Sequence, residues 1–260
     1  MAVFATGQGE ALLMLHGIMS GASFFDEAAE ALSNDYRVIT YDRRGYGGEP
    51  APADGDYTVS TQAEDAAAVL ASQATGPAWV FGNSAGGLIA VELCLRHPEL
   101  VRGLVLLEPS LVVDDESRQE IAAWNAELNG YLASNRIKRA LPAFARVVGD
   151  PSGGKGATSL AQMRAAYANL DNFMHGELNE VQRYAPSPSV LATIDVPVCV
   201  LVTTEGRAGM FGRTSESGAR ALGWPVAFVE GYHNAARDNA RAFAKTLRDV
   251  LGDMSRGGHA

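Results

Sequence analysis

A serine flanked by glycine two residues away on each side, Gly82-Asn83-Ser84-Ala85-Gly86, fits the pattern G-x-S-x-G. An apolar run, residues 78–81, precedes it, and Leu88, Ile89 and Leu93 continue behind it at helical spacing. The spacing has a physical reason. A nucleophile presented above a sheet must sit on a very tight strand-to-helix turn, which brings the residues two before and two after it together. Only glycine fits at those positions, and the serine itself takes strained torsions. The helix that follows aims its N-terminus, with free N–H groups and the positive end of its dipole, at charge developing during attack. Ser84 is therefore the candidate nucleophile. A serine in a purely structural turn would leave its neighbours unexplained.

A serine hydroxyl needs a base. Of the five histidines, His233 follows the last apolar run, in the loop Glu230-Gly231-Tyr232-His233 ahead of a final helical pattern. It also comes after Ser84, as the chain order Ser…acid…His requires. His16 lies in an early turn, His97 ends the helix behind Ser84, His175 falls in a helical stretch and His259 in the tail; structural or surface roles suit these four. The acid must accept from the base, fix its tautomer and stabilise the imidazolium. Two carboxylates qualify. Glu108 stands immediately after the apolar run 104–107, at the carboxyl end of a sheet strand, where such sites form. Glu205 lies in the loop TTEGRAG after Val198–Thr203.

The elements that must position these groups alternate. Strands are expected at residues 11–15, 37–41, 78–81, 103–107, 198–203 and 226–229, with helical patterns between them. Most of these runs are too continuously apolar for a half-exposed sheet, so a mostly parallel sheet covered by helices on both faces is expected. Thr61 and Glu64 fit a capping box opening a helix towards Ala74. Phe243, Leu247, Val250 and Leu251 form the apolar stripe of the last helix, which Gly252 can stop. Residues 111–193 break the rhythm: Ile121, Trp124, Leu128 and Leu132 recur at helical spacing, no convincing strand occurs, and a Gly-rich loop, 150–156, divides the block. Inserted between two strands, such a block reads as a helical lid. The core is then 1–110 with 194–260, the lid 111–193, and the tail 255–260 is expected to fray.

The runs LLMLHGIMSGASFF, VITYDRRGYGGEP, the Ser84 turn and VEGYHNAARDNARAFAKTLRDVL together resemble the α/β-hydrolase superfamily, over residues 11–110 and 196–251. The resemblance implies His233 as base, and an oxyanion hole made by the N–H groups of Ile18, after His16-Gly17, and of Ala85. Two converging amides would contribute about 3 kcal/mol each to stabilising a tetrahedral oxyanion. It implies that Asp42 in YDRRGYG serves a structural turn, with Arg43 and Arg44 pairing with local carboxylates or reaching the pocket mouth. Most of the superfamily carries an aspartate in the loop holding Glu205, but Gly206 or Arg207 fills that position here. The segment LLEPSL resembles branches whose acid moved to the preceding strand end, which favours Glu108 over Glu205. Dehalogenases and epoxide hydrolases of this fold use aspartate at the turn, so Ser84 argues against both.

Composition bounds the rest. The chain has 260 residues, 47% hydrophobic and 20% charged, with 30 acids against 21 bases and a formal charge of −9. The length suffices for a sizeable core. No Lys/Arg cluster marks a phosphate footprint, so nucleic acid is not an expected partner; the acidity serves solubility. Cys94 and Cys199 are read as buried reduced thiols. The start MAVFATGQGE lacks a basic region followed by an apolar run, and no apolar run approaches a membrane span; a cytoplasmic protein without membrane contact is expected. No metal-ligand cluster and no dinucleotide loop occur, so neither metal nor cofactor is expected. Trp124, Tyr131, Phe144, Phe173 and Met174, with Met19, Phe24 and Phe25, suggest an apolar, cyclic small-molecule substrate. Ester or lactone hydrolysis through an acyl-enzyme is the leading expectation. Thioesterase, carbon–carbon bond hydrolase, and a cofactor-free lyase, cyclase or perhydrolase share the machinery. A binding module that has lost catalysis is the remaining alternative.

Overall fold

The computed structural model describes residues 1–48, 56–148 and 160–257. Among these residues seven strands, β1 (Val3–Thr6), β2 (Glu10–Leu15), β3 (Tyr36–Tyr41), β4 (Ala78–Asn83), β5 (Val101–Leu107), β6 (Val198–Thr203) and β7 (Val226–Val229), form one sheet in the order β1-β3-β2-β4-β5-β6-β7. Only β1 runs antiparallel, against β3; all other pairs are parallel. Six of the seven answer to the apolar runs of the sequence. β1 does not: its apolar run, Val3-Phe4-Ala5, is short, all four strand residues are exposed, and it is an edge strand held by backbone pairing (Val3 opposite Tyr41). Every residue of β4 and β6 is buried, as expected where helices cover both faces.

The period of two along the strands sorts the core into two layers. Leu13, Leu15, Val80, Leu104 and Leu106 pack under α2 (Val59–Gln73) and α3 (Ala85–Arg96). Leu12, Met14, Phe81, Val105 and Leu107 pack under α1 (Asp26–Leu32) and the C-terminal helix, Ala240–Ser255. Two expectations about helix ends need correction. The cap of α2 is Thr58, whose side chain accepts from the Thr61 N–H; Thr61 is one turn in, and Glu64 pairs instead with Arg96 and His97. The last helix does not stop at Gly252. It continues to Ser255 because Met254 still finds a buried seat, and the left-handed residue that follows is Gly257 (φ 71°).

Between β5 and β6 the described residues form helices and no strand: α4 (Asp115–Ala133), α5 (Ala140–Val148), α6 (Leu160–Asn172), a π-helical turn Phe173–Glu177, α7 (Leu178–Arg183) and α8 (Pro188–Leu191). The Gly-rich loop 150–156 and residues 258–260 of the tail lie outside the described residues. This block has a small core of its own, including Leu128, Leu170, Phe173, Met174 and Leu178, against which Ile18 and Met19 pack. After β6 come α9 (Met210–Leu222), α10 (Ala235–Asp238) and the C-terminal helix, α11. Among the described residues no helix is long and apolar enough to cross a membrane.

Candidate active site

β4 delivers the chain to Ser84, which sits at φ 55°, ψ −123° between the last strand residue and the first residue of α3. No β-carbon bearing residue takes such torsions cheaply; the local structure must hold it there. Two bonds do so: the Ser84 N–H donates to the Leu107 carbonyl at 3.0 Å, and the Gly87 N–H donates to the Ser84 carbonyl at 2.8 Å. The flanking glycines are sterically compulsory. A β-carbon on Gly82 would meet the Gly86 carbonyl oxygen at 2.6 Å, and one on Gly86 would meet the Leu15 carbonyl oxygen at 2.2 Å.

His233 lies in the turn between β7 and α10, 5% exposed, with the Phe211 ring of α9 stacked on its imidazole at 4.5 Å between centroids. Its Nδ1 is 2.7 Å from Glu108 Oε2. Glu108, 1% exposed, leaves β5 with a positive φ of 41°, a second strained residue one strand away from the first. Its other oxygen, Oε1, accepts from the Thr203 N–H at 2.9 Å and from the Thr203 hydroxyl. Burial pushes the Glu108 pKa up, but the bonds from His233 and Thr203 together outweigh it and leave the carboxyl below its ordinary value. Glu205 is exposed and is engaged elsewhere, accepting from the Gly231 N–H and the Thr204 hydroxyl. Of the two candidate acids, the one bonded to the imidazole is Glu108.

Gly17 presses against the serine: a β-carbon there would stand 3.2 Å from Ser84 Cβ. The N–H groups of Ile18 and Ala85 have no acceptor among the described residues, and both residues line the same cavity as Ser84 and His233. Ala85 is the first residue of α3, so its amide is one of the free donors of a helix N-terminus. Such donors can receive an anion.

The cavity measures about 300 Å³ and is walled by the sheet end below and the helical block above. Trp124, Phe173, Met19 and Phe24 line it as their types suggested, whereas Tyr131, Met174 and Phe25 do not. Met174 is spent in the core of the block and Phe25 in the layer beneath the sheet; helical spacing alone does not say which neighbour a helix will face. The Phe144 side chain lies outside the described residues. The wall also carries Phe211, Gln182, Asn125, Arg118 and Arg237, which sequence reasoning missed. Phe211 could have been found as the aromatic in the first turn of α9, just after the loop of Glu205. Among the described residues no three His, Cys, Asp or Glu side chains are grouped to hold a metal ion.

The turn after β3 works structurally. Asp42 accepts from the Ala22 N–H at 2.8 Å, and Arg44 forms a two-armed pair with Asp65 at 2.7 and 2.9 Å. Arg43 does not reach the cavity mouth. It is 1% exposed and pairs with Glu177 of the π-helical turn. His16 is fully buried beside it, and burial and then the Arg43 charge hold its pKa well below the usual histidine value.

A family model for the alpha/beta hydrolase fold matches residues 10–186. Among curated relatives, the uncharacterized hydrolase YraK of Bacillus subtilis is 41% identical over 107 residues, 41% of this chain and 40% of that protein. The pimeloyl-[acyl-carrier protein] methyl ester esterase of Aeromonas hydrophila is 32% identical over 130 residues, 48% of this chain and 50% of that one. The chain thus spans half the length or less of the curated relatives it matches. Among solved structures, a thermophilic esterase from Thermogutta terrifontis superposes with a TM-score of 0.74 at 19% identity, covering 100% of this chain and 94% of that one. With the mostly parallel sheet, the serine at its strand-to-helix turn and a matched region of this extent, the chain belongs to the alpha/beta hydrolase fold family.

Proposed function

We propose that the protein is a serine hydrolase that cleaves an ester or lactone of an apolar small molecule through a Ser84–His233–Glu108 triad. The observation that carries this reading is the buried 2.7 Å pair of His233 Nδ1 and Glu108 Oε2, in a site whose other wall is the strained Ser84. With Nδ1–H committed to the carboxylate, Nε2 is the ring nitrogen left to take the Ser84 proton. The Ser84 oxygen then bonds to the substrate carbonyl carbon, and the oxyanion formed falls to the Ile18 and Ala85 amides. His233 returns the proton to the leaving alcohol as the acyl–oxygen bond breaks. Water, deprotonated by the same imidazole, releases the acid and restores Ser84.

The substrate class rests on the wall of the cavity. Trp124, Phe173, Phe24 and Phe211 give it a largely apolar surface, and its volume of about 300 Å³ suits a small molecule. Residues 111–193 act as the lid that sets this choice, over a catalytic core of 1–110 and 194–260; the support is that the cavity-facing residues of the block sit between two strands of one sheet. The methyl ester activity in the name of the Aeromonas relative is consistent with an acyl carbonyl as the target. The test is a panel of p-nitrophenyl esters, aromatic lactones and acyl thioesters, run with wild type and Ser84→Ala. Ester or lactone turnover that disappears in the variant supports the reading. Turnover of thioesters alone would move the substrate class, and equal rates in both proteins would end the serine mechanism.

A further inference from the structure

Behind the oxyanion turn lies a buried polar cluster that the hydrolytic cycle does not use. Arg43, Glu177, Tyr46, Gln62 and His16 are each 1% exposed or less. Glu177 accepts from Arg43, from the Tyr46 hydroxyl and, at 3.1 Å, from Gln62 Nε2. Burial opposes the Arg43 charge, and Glu177 and Tyr46 more than offset it, so the guanidinium pKa is raised. A buried pair of this kind is weak evidence for stability, because apolar residues of the same volume often serve as well. Its geometry suggests another use.

The second arm of Arg43, Nη2, donates to the Gly17 carbonyl at 2.8 Å. The same oxygen accepts from the Ser20 hydroxyl at 3.1 Å and lies 2.8 Å from His16 Nδ1. His16 Nε2 accepts from the Arg43 N–H at 3.2 Å, so the proton of the neutral ring sits on Nδ1 and this third contact is also a donation. Three donors therefore hold one carbonyl. The Gly17–Ile18 peptide is trans, so its C=O and N–H point in opposite directions across one rigid plane. Fixing the Gly17 oxygen towards Arg43 turns the Ile18 N–H towards the cavity where Ser84 stands.

We propose that Arg43 is a positioning residue for the Ile18 amide, and that Glu177 holds Arg43 in the conformation that does so. Glu177 belongs to the π-helical turn that joins α6 to α7, and α7 contributes Leu178, Val181 and Gln182 to the cavity wall. π-helical turns of this kind concentrate at functional sites. The helical block thereby completes the oxyanion site: seating Glu177 on Arg43 and aiming the amide are one event. The inference rests on the serine mechanism proposed above.

The test uses Arg43→Lys, which keeps the buried charge but cannot span Glu177 and the Gly17 carbonyl together. Glu177→Gln, nearly isosteric, carries the test if the lysine variant does not fold. Loss of a whole oxyanion donor costs about 10²–10³ in kcat, so a mis-aimed one is expected to cost about 10- to 100-fold, with KM within about threefold. The second readout is the ¹³C-detected titration of the hemiketal that an aryl trifluoromethyl ketone forms on the serine. A weakened oxyanion site raises the pKa of that adduct, which a merely structural role would not do. Folded variants with wild-type kcat and adduct pKa overturn the proposal, as does a fall in kcat with an unmoved adduct pKa. Absence of any hemiketal in wild type would instead sink the serine mechanism, so the two failures are distinguishable.

Discussion

Replacing Glu108 by glutamine tests the triad at the point where the geometry is most demanding. Oε1 faces the Thr203 N–H at 2.9 Å, and Oε2 faces His233 Nδ1 at 2.7 Å. A backbone N–H can only donate, so the amide oxygen of glutamine must take the Oε1 place and its NH₂ must take the other. That NH₂ then donates to Nδ1, which forces the ring proton onto Nε2, where it blocks acceptance of the Ser84 proton. In the serine-protease template the equivalent tautomer error costs about 10⁴ in kcat, roughly 5 kcal/mol of transition-state stabilisation. The expected result for Glu108→Gln is a loss of that order in p-nitrophenyl ester turnover, with the far-ultraviolet dichroism of wild type. Glu205→Gln is expected within about twofold, since its exposed carboxylate contributes little. A Glu108→Gln enzyme within tenfold of wild type, or a collapse in Glu205→Gln, would overturn Glu108 as the partner of His233.

Acid should unfold the protein partly through His16. Its folded pKa is depressed below 6.5 by burial and by Arg43, so the unfolded chain binds the extra proton as pH drops below about 6.5. Stability is then lost with falling pH at up to about 1.4 kcal/mol per unit, and urea melts should find a shallower loss in His16→Asn; parallel curves would contradict this. Gly82→Ala is expected to cost about 1–3 kcal/mol and most activity, because its β-carbon meets the Gly86 carbonyl oxygen at 2.6 Å. Gly130→Ala, exposed on α4 with nothing within 4 Å, is expected to gain about 0.5–1 kcal/mol by calorimetry. Burial pushes the thiols of Cys94 and Cys199 up to about 11, so a disulfide reagent should titrate them only after unfolding; fast native reaction would oppose the assignment.

The features legible in the sequence were those with local or periodic signatures. Buried parallel strands announce themselves as apolar runs, and a glycine pair around a serine announces a steric requirement. The position of β1 was not legible because its apolar run, Val3-Phe4-Ala5, is only three residues long and lies exposed at the sheet edge, where pairing runs through the backbone. Thr58 capped α2 ahead of the Thr61–Glu64 pattern because Asp56 also binds the Thr58 N–H and the Thr61 hydroxyl, tightening the chain one turn earlier. Glu108 and Glu205 could not be separated by spacing. The choice depends on which strand end faces the turn that carries His233, 125 residues after Glu108, and that tertiary contact has no local signature. The Arg43–Glu177 pair spans 134 residues, from the turn after β3 to the π-helical turn, which no local pattern could signal.

Whether the Ser84 hydroxyl is activated can be read by mapping a fluorophosphonate adduct. Native protein is treated with the probe, digested, and the modified residue located by mass spectrometry, with His233→Ala and heat-denatured protein alongside. Stoichiometric labelling confined to Ser84 in the native enzyme, slowed by several orders of magnitude in His233→Ala and absent after denaturation, is the expected result. An unlabelled native protein, or an adduct on another residue, would contradict the assignment of Ser84 as nucleophile.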